Sequence, residues 1–293
     1  MSTIRRSIQA GAVRLGGGAL AVALMLGAGQ GAWAQQQQQD TRAQEMVRTA
    51  VQTELAADRD DHSHWEYKDS YDSPDTGKTL SWVVETEQGA LKKKVEQDGR
   101  PLNEQQLDAE NTRIQGLVGN RAELERRRKD GAQDGKRAEN MLRMLPDAFF
   151  WKLKSEHGDD MTFSFVPDPN FNPPTMESRV FAAMAGDLVV DKEQHRIKSI
   201  SGTLTTDVKF AWGLFGQMDH GGRFDVERRQ LAPGIWQITE SHVHMNGHAL
   251  IFKSISEQED EVKSDFHRVP QETTLEQAAT ILKGEPASLN ARR

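Results

Sequence analysis

The sequence predicts an α+β fold that is mainly β, built on an antiparallel sheet. Three observations carry that expectation. Apolar side chains recur at helical spacing just after Thr41, they recur at every second position from Trp65 and again from Phe149 towards Pro270, and a polar helical insertion, 102–145, separates the two strand-rich regions. The connections between the expected strands are too short for parallel crossovers, which leaves antiparallel pairing.

The chain opens with Arg5, Arg6 and Arg14, a Gly/Ala/Leu run from Leu15 to Gly29, and the small-x-small end Ala32-Trp33-Ala34. These are the three parts of a cleavable signal peptide, and the apolar run is too short and too rich in glycine for a stable membrane span. Residues 1–34 are therefore expected to direct export and be removed, so that the remainder works in the periplasm or is secreted and does not span a membrane. The Arg5-Arg6 pair also suits twin-arginine export. Cysteine is absent, so disulfides and lipid attachment at a leader cysteine are both excluded, and stability must come from an apolar core. The net charge is −7, and the leader holds three of the 37 basic residues but none of the 44 acidic ones. An acidic surface repels phosphate backbones, so nucleic acid is not an expected partner. The basic run Arg126 to Lys129 has Glu123 and Glu125 beside it and reads as a solvated helix face.

Residues 35–40, dominated by Gln35 to Gln39, are expected to form a disordered leader. Thr41 and Gln44 have capping-box spacing, and Ala43, Met46, Val47, Ala50, Val51 and Leu55 form one helical stripe ending at the acidic segment Asp58 to Asp61. Trp65, Tyr67 and Tyr71 then alternate with polar residues, and the turn Ser73-Pro74-Asp75-Thr76-Gly77 leads to Leu80, Trp82 and Val84, a hairpin with an aromatic face. A basic strand from Leu91 to Val95 and an Asp98-Gly99 turn follow. Pro101 opens the insertion, expected as helix from Leu102 to Lys129, broken at Gly131 to Gly135 and resumed from Lys136 to Leu145. Its narrow stripe of Leu107, Ile114, Leu117, Val118 and Leu124 predicts a surface arm or lid.

After Pro146, Phe149, Trp151 and Leu153 alternate with polar residues, a turn falls at Glu156 to Asp160, and Met161, Phe163 and Phe165 continue the apolar face. Pro167, Pro169, Pro173 and Pro174 forbid regular pairing and define an extended loop. A helical turn is expected at Glu177 to Met184, strands at Asp187 to Val190 and Arg196 to Ile200, then an alternating run of Leu204, Val208, Phe210 and Trp212, and another at Phe224 and Val226. Ile235 to Met245 and His248 to Ile255 flank Asn246-Gly247, the strongest short hairpin signal in sequence. One domain is thus expected over 41–270, with 271–293 a C-terminal tail carrying a short helix.

No G-x-S-x-G elbow, H-E-x-x-H helix, phosphate loop or dinucleotide glycine pattern occurs, so the sequence assigns no catalytic residue and no cofactor. Alternation puts His242 and His244 on one strand face, where two imidazoles can reach a zinc or copper ion, while the expected hairpin turns His248 to the other face. Without a third ligand the pair reads as solvated or hydrogen-bonded, with no metal site, and His62 and His64 read the same way. The segment Phe210 to Gly222 carries Trp212, Leu214, Phe215 and Met218 between Gly213, Gly216 and Gly221-Gly222. It is either a loop folded back into the core or the lip of an apolar cavity that Trp236 and Trp82 would help to line. On the second reading these six residues, Trp212, Leu214, Phe215, Met218, Trp236 and Trp82, bind a hydrophobic small molecule or lipid.

The layout of leader, amphipathic first helix, roughly nine to eleven meandering strands and helical insertion resembles the outer-membrane lipoprotein carrier and lipoprotein-sorting proteins of bacteria. The residues most similar to that group are Met184-Ala185-Gly186-Asp187-Leu188-Val189-Val190-Asp191, Gly202-Thr203-Leu204 and Gly221-Gly222-Arg223-Phe224. The group's early basic-Pro-Gly turn is missing, and the insertion 102–145 is longer than a carrier needs. The resemblance implies a sheet curved into an open half-barrel around helices, and a noncatalytic envelope protein that holds a lipid or acyl chain in an apolar concavity. Two other readings stay open: a module that presents the polar arm to an envelope protein partner, and a hydrolase whose site no motif reveals.

Overall fold

A computed structural model of the chain describes residues 40–210, 216–249, 253–254 and 257–288. Helix α1 (Thr41–Asp60) leads into strands β1 (His64–Ser73), β2 (Gly77–Val84), β3 (Leu91–Gln97) and β4 (Arg100–Pro101), then helices α2 (Glu104–Val118) and α3 (Arg121–Ala148). Strands β5 (Phe149–His157) and β6 (Asp160–Pro167), helix α4 (Met176–Ala182), and strands β7 (Met184–Asp191), β8 (Ile197–Leu204), β9 (Val208–Phe210) and β10 (Gly216–Met218) follow. The chain closes with β11 (Arg223–Ala232), β12 (Ile235–Met245), β13 (Gly247–Ala249), β14 (Lys253–Ser254), β15 (Glu257–Val269) and α5 (Leu275–Ser288). Eleven strands make one open antiparallel sheet in the order β4-β3-β2-β1-β15-β12-β11-β8-β7-β6-β5, and β14-β13-β10-β9 form a smaller sheet. The protein is therefore mainly β, with a large sheet not closed into a barrel and an N-terminal helix. Among the described residues no helix is long and apolar enough to cross a membrane.

Two cores lie on opposite faces of this sheet, at opposite ends. Cross-strand partners run in one row from Phe163 through Leu188, Ile200, Val226, Ser241 and Glu261 to Tyr71 and Thr79. On that face, over β5 to β8, α1 lays Ala43, Val47, Ala50 and Val51 against Phe149, Trp151, Phe163 and Phe165. Leu80, Trp82 and Val84 have the opposite parity, and with Leu91 and Val95 they meet α2 and α5 through Ile114, Leu117, Leu275, Ala278 and Leu282. The sheet curls enough for the β11–β12 tip, Leu231 and Ile235, to pack against Trp65, Tyr67 and Val83. Gly202 lets two aromatic rings pack on its backbone, because an added Cβ would sit 2.7 Å from the Phe224 ring and 3.3 Å from Phe165.

An ionic clasp fixes α1. Buried Glu54 accepts from Arg196 Nε at 3.1 Å, Arg196 Nη2 at 3.0 Å and the Ile197 N–H at 2.7 Å, and it also pairs with Arg228. Burial pushes this carboxyl up, but the two guanidiniums outweigh it and hold Glu54 below the usual range. At the other end, fully buried Lys93 donates from Nζ to the Leu282 carbonyl at 2.9 Å. Between the cores runs α3, 28 residues and about 42 Å long. Leu124 packs on the second core, Leu142 and Leu145 pack on the first, and residues 125–138 between them are exposed.

Several expectations need correction. The α1 cap is Asp40, whose carboxylate accepts from the Arg42 and Ala43 N–H groups, so Thr41 is already helical. The β1–β2 hairpin has no single aromatic face: the turn sets Tyr71 opposite Thr79 and Tyr67 opposite Val83, so Trp82 points the other way. The insertion breaks at Gly119–Asn120, where Asn120 caps α3, and runs unbroken through Gly131 and Gly135. Its i,i+3 and i,i+4 pairs, among them Glu123 with Arg126 and Arg127, offset the glycine penalty. The run from Leu204 to Trp212 is divided: Leu204 ends β8, and Val208 to Phe210 enter the small sheet. Asn246-Gly247 is not a hairpin, because β12 pairs with β11 and β15 while β13 pairs with β10 and β14. The strand between β1 and β12 is β15, a charged segment without clean alternation. The segment 271–293 is more than a tail, since Leu275, Ala278, Ala279 and Leu282 of α5 are core residues.

Candidate functional site

The structure separates the three sequence-predicted binding residues that it describes, Met218, Trp82 and Trp236. Met218 is 9% exposed, sits on β10 of the small sheet and belongs to the first core. Trp82, 4% exposed, lies on the opposite face of the large sheet, in the second core, with Lys68 Nζ 5.2 Å from its ring centre. Trp236 donates from Nε1 to Gln194 at 3.2 Å and stacks under the Arg196 guanidinium at 6.0 Å, close to the α1 clasp. These three side chains therefore do not line one space. Trp212, Leu214 and Phe215 lie outside the described residues.

Among the described residues the first core has an incompletely covered end. α1 covers the apolar face over β5 to β8, and towards β11 and β12 the same face continues as Ile200, Phe224 and Val243, which are only partly buried. Val208 of the small sheet joins them, with Met184, Met218 and Met245 beneath. Methionines fill irregular space and repack readily, so this end is an adaptable apolar surface.

The histidine pair sits on the other face, where a fully polar row crosses the sheet. Asp187, Ser201, Asp225, His242 and Asp260 are successive cross-strand partners on β7, β8, β11, β12 and β15. With Arg223 and His244 they line an open cleft of about 580 Å³. His242 Nδ1 is 2.6 Å from Asp260 Oδ1, His244 Nε2 is 3.0 Å from the same oxygen, and Arg223 Nη2 is 3.3 Å from His244 Nδ1. A guanidinium only donates, so His244 Nδ1 is the acceptor and its Nε2–H donates to Asp260. Burial pushes the Asp260 carboxyl up, but the hydrogen bonds from His242 and His244 outweigh it and hold it below the usual range. Both nitrogens that face Asp260 are thus committed as donors, and among the described residues no group of His, Asp and Glu side chains is arranged to hold a metal ion. The arrangement suits hydrogen bonding to a polar ligand. Asp260 and Arg223 are the partners that sequence reading missed, and only the pairing of β15 with β12 reveals Asp260.

No protein-family model, curated protein or solved structure matches this chain.

Proposed function

We propose that the protein acts outside the cytoplasm as a noncatalytic envelope protein, exported through its N-terminal leader, that holds an apolar ligand such as a lipid or acyl chain against its open sheet. This is the carrier-like role that the sequence resemblance implies. One observation carries it: the apolar face does not end where α1 stops but continues as half-buried Ile200, Phe224 and Val243 over the methionines Met218 and Met245. An open sheet with an adaptable apolar margin suits a flexible chain better than a rigid small molecule. Titration with a fluorescent fatty acyl probe tests the proposal. Saturable uptake by the purified protein is expected, and Phe224→Ala should weaken it while the protein stays folded. Absence of saturable uptake, or unchanged uptake by Phe224→Ala and by a variant carrying Trp212→Ala with Phe215→Ala, would overturn it.

A further inference from the structure

We infer that the bowl between β1–β3 and the α2–α3 junction is an anion site that takes a phosphate group, a monoester or diester, free or as a lipid headgroup. The bowl encloses about 500 Å³, and its cations come from three elements: Lys92 and Lys94 from β3, Arg113 from α2 and Arg127 from α3. The Tyr71, Thr79 and Ser81 hydroxyls form its floor. Among the described lining residues the one carboxylate is Glu110, while Asp69 behind Lys92 and Glu123 behind Arg127 pair with their cations from outside the lining, so the four cations outnumber the three carboxylates that touch them. Glu110 is already spent. Its Oε1 accepts from Arg113 Nε at 3.1 Å, and its Oε2 accepts from Arg113 Nη2 at 2.7 Å and from the Lys94 N–H at 3.1 Å. Burial pushes Glu110 up, but these partners hold it below the usual range, so it stays ionised and braces Arg113.

The cations, by contrast, keep unused donors. Lys92 Nζ is hydrogen-bonded to Asp69 and Lys94 Nζ to Gln97, each a single acceptor among the described residues. Arg127 spends only Nε, on Glu123, and Arg113 Nη1 has no acceptor there. Ammonium and guanidinium donors converging from several directions match the oxygens of a tetrahedral anion, and the volume leaves room for a small group attached to it. The site lies over β1–β3 and shares no strand with the apolar margin on β8, β11 and β12, so it stands whether or not an acyl chain binds there.

Calorimetric titration of the purified protein with inorganic phosphate and with glycerol 3-phosphate, and flotation with vesicles of phosphatidylcholine alone or mixed with phosphatidylglycerol, test it. Saturable binding of either soluble phosphate assigns the site to a free ligand. Binding confined to the phosphatidylglycerol vesicles assigns it to a headgroup. In either case Lys94→Gln with Arg127→Gln should bind at least about tenfold more weakly at an unchanged melting temperature, since two charge-assisted hydrogen bonds are lost. Arg127→Gln alone, at an exposed helix position, gives the same sign if the pair disturbs folding. Arg128→Gln with Lys129→Gln removes equal charge from outside the bowl and should leave binding intact. No binding of any probe, or equal loss in the two double variants, would overturn the proposal.

Discussion

The two ends of the large sheet solve the same problem in opposite ways. At the β5–β8 end the strands follow one another in sequence, the face is aromatic, and one amphipathic helix covers it. At the β1–β3 end the core is assembled from Trp82, Ile114 and Leu282, far apart in the chain, and it tolerates a fully buried Lys93. The first end is a meander closed by α1, which comes from before the other half of the sheet in the chain. The second exists only when the last strand and helix return to the first ones. The strand β15 joins the ends by pairing with β1 and β12 at once, and α3 spans them through solvent. A helix that is polar all round persists there because intrahelical ion pairs and its two anchored ends support it.

Breaking the clasp on α1 should have the largest effect. Glu54→Gln leaves Arg196 and Arg228 buried without their counter-charge, so a loss of about 3–5 kcal/mol is expected from urea unfolding. Phe163→Ala in the first core and Leu282→Ala in the second come next, at about 3–5 and 2–5 kcal/mol. Because β15 pairs with strands of both halves, each variant should still unfold in one transition. Hydrogen exchange that releases β1–β3 well before β5–β8 in Leu282→Ala would show instead that the ends are separate cooperative units.

Acid sharpens the contrast between two glutamates. Glu54 is held below its ordinary 4.5, so its contribution is complete above 4.5 and is lost as pH falls through the lower folded value. Glu85 is pushed up, by burial first, so what it contributes is present below 4.5 and lost as pH rises through the folded value. Unfolding curves across that range should therefore show the Glu54→Gln deficit shrinking in acid, while Glu85→Gln is more stable than the parent at neutral pH and loses that advantage in acid. The smallest effect is expected in α3. Nothing lies within 4 Å of a Cβ added at Gly131 or Gly135, so alanine at each should add about 0.5–1 kcal/mol and raise helicity. A loss of stability there would contradict an unbroken helix.

Local sequence dictates the α1 stripe, the β1–β2 turn, the β5–β6 hairpin, the positions of β7, β11 and β12 and the start of β8, and the mainly β class. Each of these rests on a period of 3.6 or 2 and on turn chemistry, which act over a few neighbouring residues. Tertiary structure alone decided the rest. Glu257 to Val269 is charged and weakly patterned, and it is a strand because β1 and β12 both offer it a free edge. The same pairing takes the edge of β12 that Asn246-Gly247 was expected to fold back upon. It also brings Asp260 to His242 and His244, sixteen to eighteen residues away in sequence. The face that Trp82 occupies was settled by a cross-strand register, and the bowl of Lys92, Lys94, Arg113 and Arg127 by the way α2 and α3 close over the sheet edge. Strand register and edge pairing depend on which distant backbone groups remain unpaired, and that information is not contained in any local window of the chain.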